Sequence, residues 1–171
     1  MKSSLLVLIA LTYLMPTAGY SLSTDQSQPI NIQADAAIVD NKAGVTIYSG
    51  NVTINQGTLL ITADEVKVIV SQKEVTQIIA SMKAKSEMLA HYEQLPDDTD
   101  EPVSADARTI TYFLKEQRLH LAGNAHLKQT RDTFSGELLH YDLAKGIVDL
   151  KGGGKEKGGR VNITLTPKKS D

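Results

Sequence analysis

With 171 residues, a net charge of −2 and 22 % charged side chains of both signs, the chain has no clustered basic face and so no electrostatic footprint for nucleic acid. Aromatic residues make up 5 % and tryptophan is absent, which leaves few platforms for stacking bases or sugars. The absence of cysteine excludes a disulfide framework, a thiolate metal site and a lipid-modified cysteine, so packing alone must hold the fold.

The chain opens with Met1-Lys2, an apolar run from Leu5 to Met15, then Pro16 and the small residues Thr17, Ala18 and Gly19. A charged start, an apolar stretch too short to span a bilayer core of about 30 Å and a small-residue zone are the grammar of a secretory signal. Residues 1–20 are therefore expected to form a signal peptide, cleaved after Gly19 or Ser21; the competing reading keeps Leu5 to Met15 as an uncleaved anchor. The remainder suits one domain, residues 21–166, with a disordered tail at 167–171.

Past that start, a period of two dominates. Val52 and Ile54, then Leu59, Ile61 and Ala63, then Val66, Val68 and Val70 alternate with other residues, and the pattern returns at Ile110, Tyr112 and Leu114, at Leu119 and Leu121, at Leu139, Tyr141 and Leu143, and at Val161, Ile163 and Leu165. Such alternation predicts short strands with one apolar face each. Gly44, Gly50-Asn51, Gln56-Gly57, Gly123-Asn124, Gly136 and Gly146 punctuate them, as turns, corners and bulges require. Together they point to a sandwich, barrel or jelly roll.

An internal repeat organises these strands. Ala34-Asp35-Ala36 recurs as Ala105-Asp106-Ala107, Gly50-Asn51 as Gly123-Asn124, Gln56 as Gln129 and Glu65 as Glu137, at offsets of 71 to 73 residues. Two copies of a unit with one apolar face close a core by stacking along an axis or folding over each other, which predicts an elongated β-roll. Residues 75–95 are rich in Ala, Met, Lys, Glu and Leu, and Ile78, Met82, Lys85 and Leu89 fall at helical spacing. Strands are nevertheless expected there, because a lone helix would interrupt the ladder and tertiary pairing overrides propensity. The acidic stretch Gln94 to Pro102 and the run Gly152 to Gly159 read as mobile loops.

No chemistry-bearing constellation emerges. With Gly123-Asn124 as a two-residue turn, Leu121 would pair with His126 and Leu127 with His120, placing the two imidazoles on opposite faces, and no metal site follows. Asp97, Asp98, Asp100 and Glu101 lack the glycine and distal glutamate of a calcium loop. Lys155 and Lys157 in the glycine run lack the Gly-Lys-Ser/Thr ending of a phosphate loop. Asp35, Asp64 and Asp106 are spread over repeated strand ends, as turn-forming side chains are. No catalytic residue, metal or cofactor is expected, although carboxylates assembled from distant strands leave no local motif. By alternation, Ile54, Ile61 and Leu121 line the apolar interior.

Residues 28–35 read QPINIQAD and residues 44–70 read GVTIYSGNVTINQGTLLITADEVKVIV, followed in the second copy by ADARTITYFLKEQRLHLAGNAHLKQ. The joint spacing of Gln-Pro-Ile-x-Ile, Gly-Asn-Val, Gln-Gly-Thr and Ala-Asp-x-Val resembles the OstA-like family of lipopolysaccharide export proteins, over nearly the whole chain after the signal. The resemblance implies an all-β, elongated, V-shaped antiparallel β-jelly roll built from two stacked repeat halves. It also implies a non-enzymatic periplasmic protein that bridges the inner and outer membranes and holds the lipid A acyl chains of lipopolysaccharide in an apolar groove. The partners it implies are an LptC-type inner-membrane protein, an LptD-type outer-membrane translocon and further copies of the chain, docked head to tail. Carried over by position, Ile30 and Ile32 belong to the groove entrance, Met88 stands where relatives place an aromatic, and Tyr112 and Leu114 match a Tyr-x-Leu pair. Open strand edges would do the docking, at Pro29 to Ala34 and at Arg160 to Thr166. Two alternatives stand beside this reading: a membrane-anchored LptC-type relative, whose N-terminal segment would persist, and a secreted β-roll enzyme or adhesin, whose cleft would be polar and lined by converging carboxylates.

Overall fold

The computed structural model describes residues 24–96, 99–153 and 159–167. The expected signal peptide, part of the acidic loop, the centre of the glycine run and residues 168–171 lie outside them. A 3₁₀ turn, Thr24–Ser27, comes first. The first half then supplies β1 (Asn31–Gln33), β2 (Ala36–Asp40), β3 (Val45–Gln56), β4 (Leu59–Ser71), β5 (Glu74–Ser81) and β6 (Ala90–Gln94). The second half supplies β7 (Val103–Ala107), β8 (Thr109–Phe113), β9 (Arg118–Gln129), β10 (Asp132–Asp142), β11 (Ile147–Lys151) and β12 (Asn162–Thr164). Residues 75–95 thus hold β5 and β6, with a connection over 82–89 between them. Ile78 and Ala80 are drawn into antiparallel pairs with Val68 and Val66, and that pairing outweighs the helical propensity of the segment.

The sheet folds over itself because its longest strands serve two sets of neighbours. β4 pairs β6 through Leu60–Thr62 and β5 through Glu65–Ser71; β9 pairs β8 through Arg118–Ala122 and β7 through Val103's partner Gln129 back to His126. β3 and β10 divide likewise, β3 between β2 and β1 and β10 between β12 and β11. One layer therefore contains β1, β6, β7 and β12 with the adjoining parts of the long strands. The other contains β2, β5, β8 and β11 with the remaining parts. The chain is an antiparallel V-shaped jelly roll of two repeat halves, β1 to β6 and β7 to β12.

The crease lies at the two Gly-Asn pairs. Gly50 and Asn51 oppose the single residue Asp64, between the pairs Ser49–Glu65 and Val52–Ala63; Gly123 and Asn124 oppose Glu137, between Ala122–Leu138 and Ala125–Gly136. Two residues against one is a β-bulge, which bends the strand that carries it. The positive φ angles of Gly50 (82°) and Gly123 (79°) explain why glycine stands at both positions. This corrects the reading of Gly123-Asn124 as a hairpin turn: the turn of β9 and β10 is Thr130-Arg131, enclosed by the pair Gln129–Asp132. His120 and His126 consequently share the outward face of β9 while Leu119, Leu121, Ala125 and Leu127 point in, so they do not lie on opposite faces.

The repeat frame also shifts. Asp35 and Arg108, 73 residues apart, each donate a backbone N–H to the crease glycine of their own half, Gly50 and Gly123, at 3.0 and 2.8 Å. Asp106, the sequence-matched partner of Asp35, lies inside β7 and pairs with His91 at 2.8 Å. Asp64 likewise lies within β4, at the bulge, where its carboxylate accepts the Lys83 N–H at 2.9 Å. Neither is at a strand end.

Candidate functional site

The inward faces of the two layers form two apolar rows, each traced by residues directly opposite one another across neighbouring strands. In the first layer, Ile32 faces Ile54, Ile54 faces Ile61 and Ile61 faces Tyr92. The row continues through the repeat junction, Tyr92 to Ala105 to Leu127 to Phe134 to Ile163. In the second layer it runs from Ala37 to Tyr48, Val66 and Ala80 and on to Ile110, Leu121, Leu139 and Leu150. Eight strands at about 4.8 Å spacing make each row roughly 34 Å long. No charged side chain interrupts either row.

The interior is filled by its own walls. Ile54, Ile61 and Leu121 are at most 1 % exposed, and Tyr112 and Leu114 are buried beside them. The layers meet where Tyr92 of the first stands edge-on to Tyr112 of the second, ring centroids 5.5 Å apart. The apolar groove that the resemblance implies is therefore closed in this structure: facing apolar walls pack together, since each methylene removed from water contributes about 0.8 kcal/mol. A cavity of about 450 Å³ lies elsewhere, at the second crease, and has Glu87, Arg108, His126, Glu137 and Arg160 in its walls.

Of the residues singled out from sequence, Ile54, Ile61, Tyr112, Leu114 and Leu121 come together in this interior, and Ile30 and Ile32 pack against it half-buried. Met88 does not join them. It lies on the connection after β5, 67 % exposed, beside the first crease with Val52, Asp64 and Met82. Sequence reasoning missed Tyr92, Leu127 and Phe134, which complete the first row. The alternation Ala90, Tyr92, Gln94 was the available signal for β6, masked by the helix-forming composition before it. A second signal was the slip in apolar phase from Ala63 to Val66, which marks the bulge.

Polar groups in the interior are few and satisfied. Burial is the main cause that drives the Tyr92 hydroxyl well above its ordinary pKa, and it pushes Tyr112 up to about 12 despite a hydrogen bond from Gln26; both remain neutral, and Tyr92 donates to Gln94. Gln56, Gln94 and Asp25 are buried at one end of the interior. Among the described residues no buried side-chain nitrogen or oxygen lacks a partner, and no three metal-ligating side chains converge. Outside, His91 is raised in pKa, first by its hydrogen bond to Asp106, while His120, stacked on His140 at 4.2 Å, is lowered, first by burial. Asp35 bonds to Asn51 at 3.1 Å, so the three aspartates noted from sequence occupy three separate places.

These features define a class: a two-layer OstA-like β-jelly roll whose distinctive element is a continuous apolar interior. Residues 31–147 match the family described as LptA/(LptD N-terminal domain) LPS transport protein. The lipopolysaccharide export system protein LptH of Pseudomonas aeruginosa is 31 % identical over 156 residues, 87 % of this chain and 85 % of that protein. LptA of Haemophilus influenzae is 31 % identical over 165 residues, 96 % of this chain and 92 % of that one. The crystal structure of P. aeruginosa LptH, described as the LptA-homologous periplasmic component of the lipopolysaccharide transport device, superposes with a TM-score of 0.72 at 30 % identity, covering 84 % of this chain and 99 % of that chain. The chain belongs to the LptA/LptD N-terminal domain family of lipopolysaccharide transport proteins.

Proposed function

We propose that this chain is a periplasmic carrier, not an enzyme, that bridges the inner and outer membranes and passes lipopolysaccharide along by holding its lipid A acyl chains between the two layers. The observation that carries the reading is the pair of apolar rows that cross all eight strands of each layer. Exposing a twelve-carbon chain to water costs on the order of 9 kcal/mol, so such a lipid does not diffuse freely. When acyl chains enter between the layers, wall-to-wall contacts are exchanged for wall-to-lipid contacts of the same apolar kind. What remains to be met is the cost of parting the layers. Similar rows in both halves keep that cost nearly even along the path, so a lipid has no deep site in which to stall.

The rows also surface at both ends, Ile32 half-buried on β1 and Ile163 half-exposed on β12. Inside the chain, the two repeat halves join by β6 pairing β7 and β5 pairing β8. By the repeat, β12 and β11 of one copy stand where β6 and β5 stand, and β1 and β2 of the next stand where β7 and β8 do. Head-to-tail docking then repeats the internal junction, with backbone groups of open edges completing the ladder. An LptD-type translocon carries a domain of this family, as the family description states, and offers the same kind of edge at the outer membrane; an LptC-type protein takes the other end at the inner membrane.

The test uses the unmodified protein with lipopolysaccharide bearing a diazirine in its acyl chains. Irradiation followed by peptide mapping should place adducts on inward residues such as Ile54, Ile61 and Leu121 and spare outward neighbours such as Thr53 and Thr62. Adducts spread equally over both faces, or none at all, would refute the proposal.

A further inference from the structure

The first turn of the described chain sits across the strand ends farthest from the crease. Its Asp25 is only 4 % exposed, and a polar side chain in such a place is retained only where its hydrogen-bonding groups are met. It has three donors, all in the first layer: the Thr58 N–H at 2.7 Å, the Thr58 hydroxyl at 2.6 Å and the Gln94 amide at 2.9 Å. Gln56 adds a fourth tie to that layer, donating to the Gln28 carbonyl at 3.0 Å. Gly57 makes room for the arrangement, because a Cβ there would lie 2.1 Å from the Asp25 carboxylate.

The next residue faces the other way. Gln26 donates to the Leu114 carbonyl at 3.0 Å and bonds the Tyr112 side chain; both residues belong to the second layer, Leu114 in the connection between β8 and β9. Among the described contacts, the turn is anchored on one wall by three hydrogen bonds to the Asp25 carboxyl group and one from Gln56, and it reaches the other wall through the Gln26 side chain. Each hydrogen bond contributes a similar net amount, about 1 kcal/mol, and more of the described ones tie the turn to the first layer, so when the walls part the Gln26 side yields first.

We infer that the Thr24–Ser27 turn is a latch over the mouth of the apolar interior, hinged on the first layer through Asp25 and closing on the second through Gln26, and that acyl chains enter when the Gln26 end lets go. This rests on the carrier reading above. The residue that sets the ease of entry is Gln26, whose side chain bonds Leu114 and Tyr112 of the second layer without lining either row.

The experiment exploits the absence of native cysteine. A cross-layer pair, Gln26→Cys with Glu116→Cys, and a same-layer pair, Gln26→Cys with Asn55→Cys, are each closed with a short bis-maleimide, and uptake of fluorescent lipopolysaccharide is followed by stopped flow, with circular dichroism to confirm the β-fold. The cross-layer tether is expected to slow uptake at least tenfold while the same-layer tether leaves it within about twofold of its unreacted form. Gln26→Ala should quicken uptake by at least about fivefold, the Boltzmann weight of one ordinary hydrogen bond, since Gln26 gives up its bonds to both Leu114 and Tyr112. If both tethered proteins load alike, or Gln26→Ala matches the wild type, the latch is overturned and the carrier reading stands. If the wild type itself takes up no lipopolysaccharide, the carrier reading falls and the latch with it.

Discussion

Replacing Ile61 by alanine tests the row directly. Ile61 is fully buried at the centre of the first layer, between Ile54 and Tyr92. Losing three carbons forfeits about 2.4 kcal/mol of transfer free energy at about 0.8 per methylene. Incomplete collapse of the cavity raises the cost to about 3–4 kcal/mol, inside the range of about 2–5 measured for such truncations in other cores. The same truncation toward the end of the row should cost far less: Ile163 is 50 % exposed on β12 and has a neighbour on one side only, so about 1 kcal/mol is expected. Association should show the opposite order. Ile163→Ala removes an apolar contact from the proposed copy-to-copy junction and should weaken self-association, whereas Ile61→Ala leaves the edges intact. Urea denaturation of the monomer reads the first quantity and sedimentation velocity over a concentration series reads the second. Equal destabilisation by the two substitutions, or unchanged association in Ile163→Ala, would show that the row is neither a central core nor continued between copies.

At the crease, Gly50→Ala should destabilise by about 2 kcal/mol, from the left-handed φ and from a Cβ placed 2.2 Å from the Asp35 carboxylate; adding Asp35→Ala should recover the steric share, read as non-additivity in a double-mutant cycle by urea melts. Stability should depend on pH through two histidines in opposite senses. The pKa of His91 is raised by Asp106, so its contribution is full below the ordinary imidazole value of about 6.5 and fades as pH rises through the higher folded-state value; His91→Gln removes that fall. The pKa of His120 is lowered by burial and by His140, so its contribution is present above about 6.5 and is lost as pH falls toward the lower folded-state value; His120→Gln flattens the acid side. Paired thermal melts from pH 5 to 8 check both signs. Finally, Ile38→Lys, on the exposed face of the β2 edge, should lower self-association at least tenfold in sedimentation velocity while monomer stability changes by less than about 0.5 kcal/mol.

Alternation and composition were enough to declare an all-β chain, because period two is a local property and each strand writes it into its own residues. The repeat near 73 residues was equally legible, and with it the family resemblance. The side chains that alternation assigned to the interior, Ile54, Ile61 and Leu121, are there for the same reason. Gly50-Asn51 and Gly123-Asn124 were visible too, but their role was not: a positive-φ pair suits a tight turn and a bulge equally, and only the partner strand, with Asp64 or Glu137 as its single opposing residue, distinguishes them. Met88 and Asp25 mark the same boundary from either side. Met88 looked apolar enough for the interior and lies outside it, while Asp25, in a polar stretch with no periodicity, is buried by contacts to Thr58 and Gln94. Which strand faces which, whether the walls meet, and which turn crosses the mouth depend on contacts between residues tens of positions apart, and those contacts are set by how the two layers pack on each other.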